Sequence, residues 1–195
     1  MEQKETIGVL AVGTPAPSFR LASAQGPDIA LEEYRGRRNV VLWLSRGLYC
    51  PFCRRYMAQL HLGYKDIQKR EAEILEVTYS TPEEARLYFQ QYQLWFPYLC
   101  DPERSIFRLY GLSTVQRGIK DMAANMAAMI GDRLFHGEKG PSPLPYIKRY
   151  GSTDLEQAVF IIDKAGVIRY VHTTGAPGGG LPSNAEYLRQ LERLQ

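Results

Sequence analysis

The chain has 195 residues, 45% of them hydrophobic, which is enough to bury one substantial core but too short for two comfortable domains. Its 24 basic residues are scattered among 21 acidic ones and leave a net charge of +3, so no basic stripe suited to nucleic acid is present in the sequence. We therefore expect one domain over residues 1–195 and no nucleic-acid partner.

The first ten residues carry Glu2, Lys4 and Glu5 ahead of a short apolar stretch that Gly8 interrupts. This pattern is typical neither of a signal peptide nor of a membrane span. Three cysteines without such a segment favour thiols kept available for exchange over a framework of structural disulfides. We expect a cytoplasmic protein that does not enter the membrane.

The first half of the chain predicts a strand–helix–strand unit. Short strands near residues 18–21 and 29–31 suggest a sheet margin, and the apolar run 40–44 is typical of a strand buried on both faces. A helix begins near Pro51, and the β-branched and aromatic run 74–79 forms the next strand. A right-handed crossover makes the two long strands parallel, which places the turn before the helix at their carboxyl edge.

In the second half of the chain, helix-start signals predict where the helices begin. Thr81, Pro82 and Glu84 form a capping-box pattern that opens a helix to about residue 92, and Asp101-Pro102 opens a shorter helix that Gly111 ends. Residues 159–162 and 167–171 predict an antiparallel hairpin, and the pattern 183–186 is a capping box before a C-terminal helix. This order of elements predicts an α/β, thioredoxin-like fold with a central mixed β-sheet flanked by helices on both faces.

A helical and loop insertion is expected over about residues 114–150. A methionine-rich stripe at helical spacing over residues 115–130 packs in the core, or contacts a partner subunit or the apolar tail of a substrate, and the Pro-rich segment 137–145 forms a loop. The glycine-rich segment 175–182 is a flexible connector rather than a phosphate loop, because no Gly-Lys-Ser/Thr ending follows it.

Cys50 and Cys53 lie where the apolar strand becomes a helix. Pro51 suits the first helical position, which leaves Cys50 at the N-cap and Cys53 in the first turn, facing unpaired backbone N–H groups. The same spacing occurs in zinc sites and in buried inert thiols. The remaining candidate zinc ligands are Cys100, His61, His136 and His172, and no two of them are closely spaced in the sequence. The pattern predicts a redox-active dithiol with neither a metal nor a cofactor.

A thiol with a pKa of about 8.5 is only a few per cent ionised at neutral pH, so a working dithiol needs a group that stabilises the thiolate. The helix dipole supplies roughly 0.3–1 kcal/mol, less than one pKa unit. Arg46, at the end of the strand, is the expected additional cation, whereas Arg54 and Arg55 are interpreted as solvated. The expected catalytic residues are Cys50, Cys53 and Arg46.

Several segments together resemble the peroxiredoxin family. They are Val12-Gly13 and Pro17-Ser18-Phe19, the Arg46-Gly47-x-x-Cys50-Pro-Phe-Cys53 turn, the run 96–102, Leu109–Leu112, and the hairpin 160–168. The sequence is most similar to the alkyl hydroperoxide reductase/thiol-specific antioxidant (AhpC/TSA) branch. This resemblance implies a thioredoxin fold and thiol-dependent reduction of hydroperoxides.

The sequence departs from the family's peroxide-activating set. Typical members carry a Pro, a Thr four residues later, the peroxidatic Cys three residues after that, and a remote Arg. With Cys53 as the peroxidatic residue, Arg46 and Cys50 occupy the Pro and Thr positions, and Gln157 stands about where the remote Arg would fall. With Cys50 in that role, Trp43 and Gly47 occupy them. The attacking sulfur stays open: N-cap exposure favours Cys50, and the family register favours Cys53.

The leading hypothesis is a thiol-dependent peroxidase that cycles between the dithiol and a Cys50–Cys53 disulfide. Its expected partners are a hydroperoxide or disulfide substrate, an external thiol reductant such as thioredoxin, and a second copy of the chain in a homodimer. A protein thiol-disulfide oxidoreductase is the first alternative. A non-catalytic thioredoxin-fold binding module is the alternative from another class.

Overall fold

The computed structural model describes residues 8–112, 114–116, 153–174 and 180–194. The expected methionine-rich stripe lies almost wholly outside these residues, and so do the Pro-rich loop 137–145 and most of the connector 175–182. Two short strands mark the borders of the expected insertion. Thr114–Gln116 pairs antiparallel with Thr153–Leu155, apart from the main sheet.

Seven strands form the main mixed sheet, in the order β2-β1-β5-β4-β3-β8-β9. Strands β3, β4 and β5 are parallel, and the other pairings are antiparallel. With the short pair counted as β6 and β7, the bounds are β1 Arg20–Ser23, β2 Ile29–Ala30, β3 Asn39–Leu44, β4 Ala72–Thr78, β5 Tyr98–Cys100, β6 Thr114–Gln116, β7 Thr153–Leu155, β8 Ala158–Ile162 and β9 Ile168–Thr173.

Helices cover both faces of the sheet, as the sequence predicts. The described α-helices are α1 Pro51–Gln68, α2 Pro82–Phe89, α3 Ser105–Leu109 and α4 Asn184–Glu192. Alternate residues of β3 point to opposite faces. Trp43 therefore packs in one core with α1, α2 and α4, and Leu42 packs in a second core with α3. Within the described segments, no helix is both long and apolar enough to cross a membrane.

The register of the strands gathers three chain segments at one edge of the sheet. Leu44, the last residue of β3, pairs with Val77 near the end of the parallel strand β4. On its other side Leu44 pairs with Ala158, the first residue of the antiparallel strand β8. The residues after β3, the end of β4 and the residue before β8 therefore meet where α1 begins.

Several element boundaries differ from the sequence-based expectation. Helix α2 ends at Phe89 rather than near residue 92, although its predicted capping box is present. Helix α3 begins at Ser105 rather than at Pro102, because Arg104 adopts a left-handed conformation with φ +55°. Leu31 starts a short 3-10 helix instead of extending β2.

Candidate active site

A tight turn carries the chain from β3 into α1. The Ser45 hydroxyl accepts a hydrogen bond from the Gly47 N–H at 3.0 Å, and Gly47 has φ +72°. A Cβ atom on Gly47 would lie 2.8 Å from the Tyr98 hydroxyl oxygen and 3.1 Å from Ser80 Oγ. The turn therefore requires glycine for its conformation and for its close approach to the polar side chains below it.

Cys50 occupies the N-cap of α1, as predicted, and its sulfur accepts the Cys53 backbone N–H at 3.4 Å. Its side chain is partly exposed. A hydrogen bond from the Cys53 side chain, helped by the Arg46 charge and backbone N–H groups, lowers the pKa of Cys50 to about 6 against the opposing effect of burial. At neutral pH Cys50 is therefore predominantly a thiolate.

Cys53, one helical turn further on, is fully buried. Burial raises the pKa of Cys53 well above the ordinary value, and the hydrogen bond to Cys50 raises it further. Both cysteines are free thiols in this structure. The pair thus combines an accessible thiolate with a buried thiol that keeps its proton.

Arg46 and Gln157 meet beside the two sulfurs. The Gln157 carboxamide lies 3.3 Å from Cys53 Sγ. Its partners fix its orientation: with the oxygen turned toward Arg46, it accepts from Nη2 at 2.8 Å and from Nε at 3.2 Å, and the amide nitrogen faces Cys53. The reverse orientation would set the NH2 group against the N–H groups of Arg46. Arg46 also hydrogen-bonds Cys53, so the expected cation does lie beside the dithiol.

Arg54 and Arg55 have different environments, and the expectation that both are solvated is wrong for Arg54. Its side chain is 8% exposed and its guanidinium donates to the Leu48 carbonyl oxygen. Arg54 therefore holds the turn that presents Cys50. Arg55 is exposed, and its guanidinium lies 5.0 Å from the centroid of the Phe52 ring.

Glu76 was not identified from the sequence, and the structure places it at the same edge of the sheet. It is fully buried on β4, opposite Trp43. Its Oε1 accepts from the Ser45 hydroxyl at 2.6 Å, whereas Oε2 has no hydrogen-bond partner in the described part of the chain. Burial raises the pKa of Glu76 to about 8. The one charged residue inside the apolar run 74–79 was the sequence signal for this site.

The remaining candidate residues lie outside the dithiol cluster. Cys100 ends β5 and is buried, and burial raises its pKa to about 12. The ring of His61 packs against Trp95, with the two ring centroids 3.9 Å apart. His172 Nε2 lies 2.8 Å from the Gly180 carbonyl oxygen. No cluster of three or more His, Cys, Asp or Glu residues suited to a metal occurs within the described segments.

Comparison with known proteins gives a consistent family. The AhpC/TSA family model matches residues 12–171. The thiol-disulfide oxidoreductase ResA of Geobacillus thermodenitrificans (strain NG80-2) is 30% identical over 105 residues, which are 53% of this chain and 59% of that protein. The chain therefore spans less than two thirds of the length of this relative.

A second relative and a solved structure are also similar to this chain. Alkyl hydroperoxide reductase E of Mycobacterium bovis (strain ATCC BAA-935 / AF2122/97) is 27% identical over 64% of this chain and 80% of its own length. The structure of Mycobacterium tuberculosis AhpC superposes with a TM-score of 0.65 at 19% identity, covering 96% of this chain and 94% of that chain. The thioredoxin-like fold is shared, and the chain belongs to the AhpC/TSA family.

Proposed function

We propose that this chain is an oxidoreductase, a thiol-dependent peroxidase that reduces hydroperoxides through a Cys50/Cys53 dithiol–disulfide cycle. The observation that carries the proposal is the pairing of a partly exposed N-cap sulfur with a buried thiol one turn behind it. Cys50 is the attacking sulfur because its pKa is lowered to about 6, whereas burial raises the pKa of Cys53 well above the ordinary value.

In the oxidation step, the Cys50 thiolate attacks one oxygen of the hydroperoxide and the O–O bond breaks. The other oxygen leaves as an alkoxide or hydroxide and takes a proton from water, and Cys50 becomes a sulfenic acid. The proposed role of Arg46 is to stabilise the thiolate and to orient the peroxide oxygens with its planar set of donors.

In the resolving step, the Cys53 sulfur attacks the Cys50 sulfur and the S–O bond breaks. The Cys53 proton and the departing hydroxide form water, and a Cys50–Cys53 disulfide remains. An external dithiol such as thioredoxin would restore both thiols and would itself become a disulfide. The three steps together reduce one hydroperoxide and oxidise one external dithiol.

The second candidate is a protein thiol-disulfide oxidoreductase. An exposed N-cap Cys followed by a buried Cys also suits attack on a protein disulfide, because the thiolate must reach a substrate sulfur at the surface. The similarity to ResA, named as a thiol-disulfide oxidoreductase, supports this candidate. The similarity to alkyl hydroperoxide reductase E supports the peroxidase.

Stopped-flow kinetics distinguishes the two candidates. The reduced protein is mixed with hydrogen peroxide, with an organic hydroperoxide and with a model protein disulfide, and the loss of thiols is followed. We expect at least one hydroperoxide to react faster than the protein disulfide, with the same rates in a Cys100→Ser control. Faster reduction of the protein disulfide favours the second candidate. A dithiol that stays intact after prolonged exposure to hydroperoxide contradicts the peroxidase.

We also propose a cytoplasmic location, a homodimeric assembly and a single domain with the insertion near residues 114–150. A partly exposed thiol at Cys50, kept available for exchange, suits a reducing compartment. The alternative of a non-catalytic, metal-holding module is tested by the metal content of protein purified under reducing conditions. Stoichiometric zinc that protects both Cys50 and Cys53 from alkylation would support that module.

A further inference from the structure

Gln157 is held rigidly between two strand ends. It is 3% exposed and directly precedes β8. Its backbone carbonyl accepts from the Thr174 N–H at 3.0 Å, and its backbone N–H donates to Thr174 Oγ1 at 3.3 Å. The hydrogen-bonded backbone and the burial of the side chain together restrict where the carboxamide can lie.

The direction of the hydrogen bonds through Gln157 is fixed by Arg46. A guanidinium has N–H donors and no acceptor, so the carboxamide oxygen must face it. In that orientation the amide NH2 lies 3.3 Å from Cys53 Sγ, within reach to donate a hydrogen bond to it. Because the Cys53 sulfur accepts from Gln157, its own proton is directed elsewhere, and the available acceptor is the Cys50 sulfur.

We propose that Gln157 is a positioning residue that directs the Cys53 proton toward Cys50 and so keeps the negative charge on the accessible sulfur. In the reverse orientation, the Cys53 thiol would donate its hydrogen bond to the amide oxygen of Gln157. The Cys50 thiolate would then lose the Cys53 donor. The chain of donors runs from Arg46 through Gln157 and Cys53 to Cys50. This inference deepens the proposed function, yet it concerns ionisation and not turnover.

Charged and titratable groups on each packed element bear on this ionisation. Arg46 comes from the turn after β3, Cys50 and Cys53 come from the start of α1, and Glu76 comes from β4. Glu76 opposes ionisation of Cys53, while Arg46 favours thiolates on both cysteines. Arg46 also hydrogen-bonds the Cys53 sulfur and so acts in the same direction as Gln157, whose own effect the variants below isolate.

The test compares Gln157→Met and Gln157→Glu with the wild type. Methionine has a similar length and removes both hydrogen bonds. Glutamate keeps an acceptor for Arg46, has no N–H for Cys53, and adds a negative charge. The pH dependence of Cys50 alkylation, read by peptide mass spectrometry, measures the Cys50 pKa without any turnover. Gln190→Met, on α4 and lining a pocket with Asp163 at the far end of β8, is the matched control.

We expect the Cys50 pKa to rise by about 1 pH unit in Gln157→Met, and by more in Gln157→Glu, while Gln190→Met leaves it at the wild-type value. An unchanged or lower Cys50 pKa in both Gln157 variants would overturn the proposal. If the protein fails to reduce hydroperoxides but the variants show these shifts of the Cys50 pKa, only the proposed function is contradicted.

A measurement on the unmodified protein covers the case in which the variants do not fold. The side-chain NH2 resonance of Gln157 in a ¹H–¹⁵N spectrum should shift with pH, with the same midpoint as Cys50 alkylation. A resonance that stays constant through the ionisation of Cys50 would contradict the proposal.

Discussion

Cys50 and Cys53 are three residues apart but have opposite environments. The N-cap position gives Cys50 backbone N–H donors and partial exposure, whereas the first turn of α1 buries Cys53 completely. Because burial penalises a charged sulfur, Cys53 keeps its proton and can donate a hydrogen bond to the Cys50 sulfur. The position of each cysteine in the helix therefore determines which one ionises.

This asymmetry predicts selective alkylation. In the reduced wild-type protein, iodoacetamide should modify Cys50 with a half-maximal rate near pH 6, because burial of the charged sulfur is outweighed by the Cys53 hydrogen bond and the Arg46 charge. Cys53 should remain unmodified at neutral pH. Peptide mass spectrometry at a series of pH values measures both rates. Equal reactivity of the two cysteines, or a Cys50 midpoint near 9, would contradict this assignment.

At the scale of elements, a side chain outside the helix starts α3. The Asp101 carboxylate accepts from the Ser105 N–H at 2.9 Å, from Ser105 Oγ at 2.7 Å and from the Ile106 N–H at 2.8 Å. Ser183 forms a simpler cap for α4, accepting a single backbone N–H from Glu186. Asp101 therefore satisfies more helix-end donors than an ordinary N-cap residue.

We expect Asp101→Ala to lower the free energy of unfolding by about 2–4 kcal/mol, since it removes three hydrogen bonds at the helix start and leaves the buried Ile106 N–H without an acceptor. Ser183→Ala, at an exposed cap, should cost about 1 kcal/mol. Urea unfolding of the two variants beside the wild type measures both values. A cost for Asp101→Ala no larger than that for Ser183→Ala would show that the three bonds do not act together.

The sequence predicts this fold well where local signals decide the structure. The apolar run before Pro51, the capping box at Thr81 and the hairpin of β8 and β9 are all present. The start of α3 was predicted three residues too early because Asp101 was interpreted as an ordinary N-cap. The left-handed Arg104 that lets Asp101 cap from a distance has no signature in the sequence.

At the scale of the whole molecule, the sheet assembles the site from distant parts of the chain. Arg46, Cys50 and Cys53 are close in sequence and were predicted as a group. Gln157 reaches them only because β8 runs antiparallel to β3, and Glu76 only because β4 pairs with β3 in parallel. A strand register of this kind is set by long-range packing, so Glu76 could not be assigned to the site from its neighbours, and Gln157 was located only through the family resemblance.

The buried Glu76 carboxyl predicts a pH dependence of global stability. Burial raises its pKa in the folded protein to about 8, against 4.5 as the ordinary value. Above the ordinary value the unfolded chain releases a proton that the folded protein retains. Glu76 therefore supports the fold fully at low pH, and this support is lost as the pH rises toward 8.

Glu76→Gln removes this titration and keeps an acceptor for Ser45. We expect the variant to gain stability relative to the wild type by roughly 1 kcal/mol per pH unit between about pH 4.5 and 8. Urea unfolding at several pH values gives the difference, and the trend should persist in a Cys50→Ser background. A difference that does not change with pH would place the Glu76 carboxyl in contact with solvent.

The proposed mechanism assigns the attack on the peroxide to Cys50 and the resolving step to Cys53. The most direct test is site-resolved mass spectrometry of two single-cysteine-replacement variants after one equivalent of hydrogen peroxide. We predict that Cys53→Ser accumulates a sulfenic acid on Cys50, whereas Cys50→Ser leaves Cys53 as a thiol. A sulfenic acid on Cys53 in Cys50→Ser, with Cys50 unmodified in Cys53→Ser, would contradict the account.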